Sequence, residues 1–185
     1  MIDQNIIDLL HELNTDESKH TDGTLLDHLR GTHDYLEQWE NDPEVCLGGL
    51  FHSIYGTQSY KMQSASLDDR RRIQDVIGER AERLAFLFCV TRRGQFFKEL
   101  GKPNAKLHDR IHKTDEPVTQ DELRDLIEME MANNIEFIAR TAFSNEELDG
   151  FSERVDSVRN LITDGAYQDI RKAIADKHEA IRTEV

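Results

Sequence analysis

Residues 24–57 read TLLDHLRGTHDYLEQWENDPEVCLGGLFHSIYGT, and this stretch decides the fold class. On a helical wheel at about 100° per residue, Leu25, Leu29, Thr32 and Leu36 share one face. Asp27, Arg30, Asp34, Glu37 and Gln38 take the opposite one. The spacing predicts an amphipathic helix capped by Asp22 and running to about Trp39. His28, Tyr35 and Trp39 line one flank of its apolar face, and His33 lies on the other flank beside Leu26. His28 is therefore directed inward. Pro43 suits a first helical turn, and the segment it opens, PEVCLGGLFHSIYG, is apolar on every side. It should be buried and end at Gly56, with Gly48-Gly49 allowing a second helix to approach closely.

His52 lies in this segment with no polar face to occupy. An unpaired buried polar group costs about 1–3 kcal/mol, so the imidazole must hydrogen-bond or bind something. Two readings stand: a core histidine satisfied by a backbone carbonyl or a tyrosine, and a ligand or catalytic residue. Ser53, Tyr55 and Thr57 follow at once and supply hydroxyls.

Helical spacing recurs outward from here, and strand alternation is hard to find. Ile6, Leu9, Leu10 and Leu13 mark a short amphipathic helix, residues 57–65 a polar loop, and Ser66 the cap of LDDRRRIQDVIG. ERAERLAFLFCV continues as a helix with a wide apolar face. Residues 101–119 form the longest irregular stretch. The capping boxes Thr119/Glu122 and Ser144/Glu147 open helices from about Gln120 to Phe143 and from Asn145 to about Ile162. Asp164-Gly165 turns the chain into a last amphipathic helix. The expectation is a single all-α domain over residues 1–185, with packed C-terminal helices over 144–185.

In the 120–143 helix the inward stripe includes Leu123, Leu126, Ile127, Glu130, Asn134, Phe137 and Ile138. Glu130 and Asn134 thus sit one turn apart on an apolar face. A buried carboxylate wants a cation, either a core arginine such as Arg110 or Arg83, or a place beside His28 and His52. His20 precedes the first long helix and is a further pocket candidate. His108 and His112 fall in a charged, irregular segment with nothing to aim them inward.

Composition narrows the function classes. Of 185 residues, 37 are Asp or Glu against 23 Lys or Arg, a formal net charge of −14. So acidic a surface repels phosphate backbones and anionic lipid, which speaks against nucleic-acid and membrane roles. No secretory signal or transmembrane run is found, and a cytoplasmic protein is expected. Cys46 and Cys89 sit singly in apolar runs and read as small core residues. No motif for an organic cofactor is found. A small-molecule ligand is the expected partner, and the oligomeric state, a homodimer included, stays open.

TLLDHLRGTHDYLEQW, a proline-containing turn and VCLGGLFHSIYGT together resemble the front half of an HD-domain metal protein. The block is more closely similar to a bacterial domain-of-unknown-function family with the wording GLFHSxYGT. The HD superfamily places one histidine on a first helix and a buried His-Asp doublet on the next. The resemblance implies an HD-like helical bundle with its core over residues 20–143. It implies that His28 and His52 are metal ligands, with Ser53 in the place of the doublet aspartate. Serine is a poor ligand for a divalent ion, so Glu130 is the substitute carboxylate, as third ligand or general base, with Asn134 beside it. Ser53 and Tyr55 would orient water or substrate. Two histidines and a carboxylate with open positions suit Fe, Mn or Zn. The function implied is a metal-dependent enzyme acting on a small molecule, with phosphohydrolase-type or iron-oxygenase-type chemistry. The alternative is a metal-free small-molecule binder or a helical protein-interaction domain with a degenerate HD site.

Overall fold

Capping boxes start three of the helices. Thr24 Oγ1 accepts from Asp27 N at 3.2 Å while Asp27 Oδ2 accepts from Thr24 N at 3.0 Å, so two otherwise orphaned donors are satisfied together. The helix this opens, α2, runs Leu25–Gln38. Its cap is Thr24 rather than the expected Asp22, which lies outside the described residues. Thr119/Glu122 and Ser144/Glu147 repeat the arrangement at α7 (Gln120–Arg140) and α8 (Asn145–Ser157). The structure is a computed structural model and describes residues 2–20 and 23–183, apart from the side chains at 19, 20 and 139.

The other helices are α1 (Gln4–Glu12), α3 (Pro43–Leu50), α4 (Arg70–Ile77), α5 (Glu79–Val90), α6 (Gly94–Glu99) and α9 (Asp164–Thr183). The chain is mostly helical, as expected, but not wholly so. Two short antiparallel hairpins interrupt it: β1 (Lys19–His20) with β2 (Gly23–Thr24), and β3 (Lys106–His108) with β4 (Asp115–Pro117). The second occupies the stretch expected to be irregular. Strands of two or three residues are too short for a period of two to show in the sequence.

Helices α2, α3, α5 and α7 pack on one another and enclose the core. Leu25, Leu29 and Leu36 of α2, Leu50 and Phe51, Leu84 and Phe88 of α5, and Leu126 and Ile127 of α7 are fully buried. Each such side chain contributes about 1.5–3 kcal/mol relative to leaving it exposed. The two glycines of α3 serve two neighbours. A Cβ at Gly49 would collide with Leu36 Cδ1, and one at Gly48 would stand 3.1 Å from Leu84 Cβ. Glycine here lets α3 lie close against both α2 and α5, and that close packing sets how near His52 comes to His28.

Of the C-terminal pair, α9 packs on α7 and α8 packs on α9. Buried Glu128 of α7 accepts from Thr163 N at 3.1 Å and Thr163 Oγ1 at 2.6 Å, just before α9 begins. Trp39 Nε1 donates to Asp169 at 2.9 Å. Gly165 is not a turn residue, contrary to expectation. It lies within α9, where a Cβ would stand 3.1 Å from the Trp39 ring.

Candidate functional site

His28 projects from the middle of α2 and is 2% exposed. His52 is fully buried, but not within a helix as expected. α3 ends at Leu50, and residues 51–55 form a tight turn in which His52 N donates to Gly49 O at 3.3 Å. This turn aims the imidazole at α2. The two Nε2 atoms lie 3.1 Å apart, with ring centroids at 4.9 Å and planes at 70°.

Each ring is fixed from behind. His28 Nδ1 is hydrogen-bonded to Glu136 Oε2 of α7, and His52 Nδ1 donates to Gly49 O at 2.6 Å. Asn133, one turn before Glu136, places its Oδ1 3.1 Å from His52 Nε2. Arg140 in turn pairs with Glu136 Oε1 at 2.5 Å. Phe88 packs edge-on against His52, with centroids at 5.1 Å. Both imidazoles therefore present Nε2 toward one point, each with Nδ1 on an oxygen acceptor. Metal-bound histidines are held in this way by their surroundings.

A cavity of about 190 Å³ opens beside the pair. His28, Ser53, Thr57, Asn133 and Asn134 line it, and Phe137 forms an apolar flank. Arg93 and Glu130 close one side, with Arg93 Nε donating to Glu130 Oε2 at 2.8 Å. The guanidinium also donates from Nη1 to Phe88 O at 2.5 Å and lies 3.6 Å over the Phe88 ring. Burial pulls Arg93 below the usual arginine range, and the neighbouring Glu130 opposes it.

The residues singled out in the sequence fare differently. His28, Ser53, Glu130 and Asn134 share the cavity wall, and His52 stands next to them. Glu130 does pair with a core arginine, one of the two readings for it, but the arginine is Arg93, since Arg83 pairs with Glu122 and Arg110 bonds Gly56 O and Cys89 O. The carboxylate on His28 is Glu136 instead. Tyr55 does not reach the cavity. Its hydroxyl donates to buried Glu82 at 2.9 Å, and Glu82 also receives Arg70 and Gln74. That knot joins the 51–55 turn to α4 and α5. The side chain of His20 lies outside the described residues; its backbone pairs with Gly23. His108 and His112 pair with Asp115 and Asp109 at the second hairpin, away from the cavity.

Sequence reasoning missed Glu136, Asn133 and Arg93. Glu136 with Arg140 four residues on reads as a solvated helical ion pair. One signal was available: Gly31, in the middle of α2 and one turn past His28, marks a close approach. It also missed a second donor group. His33, Asp34 and Glu37 bring ligand atoms within 4.8 Å of one another on the outer side of α2. His33 is buried and stands 3.2 Å from Asp34 Oδ1, but both carboxylates are exposed, so water competes for them.

Residues 9–93 match the family model of a domain of unknown function (DUF6817). No curated protein and no solved structure matches the chain. The matched stretch covers less than half of the chain and carries His28, His52, Ser53 and Arg93. It stops before α7, which supplies Asn133 and Glu136. Among the described residues no helix is long and apolar enough to cross a membrane.

Proposed function

We propose that the chain is a metal-dependent enzyme of HD-like helical architecture that acts on a small molecule. His28 and His52 would hold a divalent ion through their Nε2 atoms. The observation that carries this reading is the 3.1 Å approach of the two Nε2 atoms while each Nδ1 is engaged by an oxygen. Nitrogen donors on one small ion at about 2.0–2.1 Å each stand at about this separation. Imidazole nitrogens with an amide oxygen beside them suit Zn, Mn or Fe(II), and so few protein donors leave open positions. Such an ion supplies Lewis acidity or an activated water when bound. The chain's own residues do the rest. Glu136 and Gly49 O orient the rings, Phe88 packs His52 in place, and Ser53 and Asn134 offer hydrogen bonds to a molecule in the cavity.

A second reading is favoured by one contact. Both nitrogens of His52 face acceptors, Gly49 O and Asn133 Oδ1. An imidazole carrying hydrogens on both would donate to Gly49 O from Nδ1 and share its one Nε2 hydrogen between Asn133 Oδ1 and His28 Nε2. The pair would then be a metal-free proton-sharing acid–base unit.

Elemental analysis of untagged, chelator-free protein separates the two, alongside His28→Ala, His52→Ala, His20→Ala and His33→Ala. The expected result is near-stoichiometric metal that is lost in His28→Ala and His52→Ala and kept in His33→Ala. His20→Ala reports whether that residue is a further ligand. No metal in the wild type after anaerobic reconstitution with Fe(II), Mn(II) or Zn(II) would overturn the metal reading.

A further inference from the structure

The cavity beside the histidines carries an uneven set of hydrogen-bonding groups. Thr57 Oγ1 already accepts from Ser59 N at 3.3 Å and Tyr60 N at 3.0 Å, so what Thr57 has left to offer is its O–H. Asn133 directs Oδ1 at His52, which leaves the Nδ2 hydrogens. The Ser53 hydroxyl, on a residue only 3% exposed, has no partner among the described residues. Arg93 spends Nε on Glu130 and Nη1 on Phe88 O, and no hydrogen bond ends on its Nη2 among the described residues. Asn134 donates from Nδ2 to Glu130 O at 2.6 Å and so offers its Oδ1 as an acceptor, but around Arg93, Ser53 and Thr57 the wall is rich in donors, and a ligand group rich in acceptors fits that side.

Charge and size narrow the ligand further. Among the described residues Arg93 is the one arginine or lysine on the wall, and Glu130 cancels much of its charge. A second negative charge on the ligand would go uncompensated, in a protein whose net charge is already −14. A volume of about 190 Å³ is small beside the roughly 300–1,000 Å³ of drug-sized pockets, and Phe137 gives it one apolar side. We propose that this cavity binds a small monocarboxylate, with the carboxylate on Arg93, Asn133 and Ser53 and the hydrocarbon part against Phe137. The proposal rests on this cavity being the working pocket, and not on the metal.

Isothermal titration calorimetry on the full chain, stripped of metal with EDTA, tests it with benzoate, benzamide and inorganic phosphate as probes. Benzoate is expected to bind at least tenfold more tightly than benzamide and more tightly than phosphate. Arg93→Gln should weaken benzoate at least tenfold and leave benzamide unchanged, and Ser53→Ala should weaken benzoate several-fold. Should Arg93→Gln fail to fold, Glu130→Gln keeps the test alive. It removes the counter-charge and should tighten benzoate. Equal binding of benzoate and benzamide would overturn the carboxylate assignment. Phosphate binding above benzoate would overturn the single charge, and no binding of any probe would overturn the site. Because metal is absent throughout, failure here leaves the metal reading standing. Absence of metal in the elemental analysis likewise leaves this proposal standing.

Discussion

Glu136 reaches His28 across a gap that exists because residue 31 is glycine. A Cβ at Gly31 would stand 2.7 Å from Glu136 Cγ and 3.2 Å from its Oε1. The carboxylate that fixes the His28 ring is therefore seated against bare backbone of α2. Gly31→Ala should push Glu136 aside, costing about 1–3 kcal/mol of stability by overpacking. It should also weaken metal binding roughly 10–100-fold, the usual loss when such a supporting partner is removed. Glu136→Gln should give a similar loss of affinity at a smaller stability cost. Urea melts and Zn(II) titrations check both, and wild-type affinity in Gly31→Ala would show that Glu136 does not hold His28 in place.

Asn133 offers a gain rather than a loss. Its Oδ1 is 3.1 Å from His52 Nε2, so Asn133→Asp puts a negative charge beside the pair without changing shape. Divalent-ion affinity should rise by tenfold or more in competition titrations with a chromophoric chelator. Unchanged or weaker affinity would mean that the ion does not sit between the two histidines.

Tyr55 is expected to matter for stability alone. Tyr55→Phe removes the bond to Glu82 and should cost about 0.5–1.5 kcal/mol. Glu82→Ala, which strands Arg70 and Gln74 as well, should cost about 3–5 kcal/mol. Metal content should match the wild type in the tyrosine variant, and its loss there would tie the hydroxyl to the site.

The Glu128 clasp on Thr163 predicts a pH effect. Burial pushes this carboxyl above the ordinary glutamate range, against the pull of the Thr163 and Asn41 hydrogen bonds. The folded chain thus holds the proton more tightly than the unfolded one. The stability this brings is full below the unfolded value of about 4.3 and is lost as pH rises through the raised folded value. Glu128→Gln stays neutral and keeps an acceptor for Thr163. Urea midpoints from mildly acidic to neutral pH should therefore move in favour of the variant as pH rises. A difference that shrinks with rising pH would contradict this account.

Much of this was legible in residue order because it is local. Thr119 with Glu122 and Ser144 with Glu147 announce helix starts within four residues. The wheel of α2 turns His28 inward, and His52 in an apolar run has nowhere polar to go. Gly48 and Gly49 do allow close packing. The rest depends on which helix meets which. Nothing near Glu136 distinguishes it from a solvated acid paired with Arg140, and Tyr55 and Glu82 lie 27 residues apart. The turn at 51–55 was hidden because a fully apolar segment looks the same whether it continues as helix or bends.

α7 meets the histidines with Asn133 and Glu136 and grips the C-terminal pair with Glu128. Residues 9–93 taken alone would keep both imidazoles but lose the carboxylate behind one and the amide beside the other. The smallest portable unit of this site therefore extends from α2 through α7. A graft or fusion cut at the edge of the matched region would carry the histidines without the scaffold that aims them.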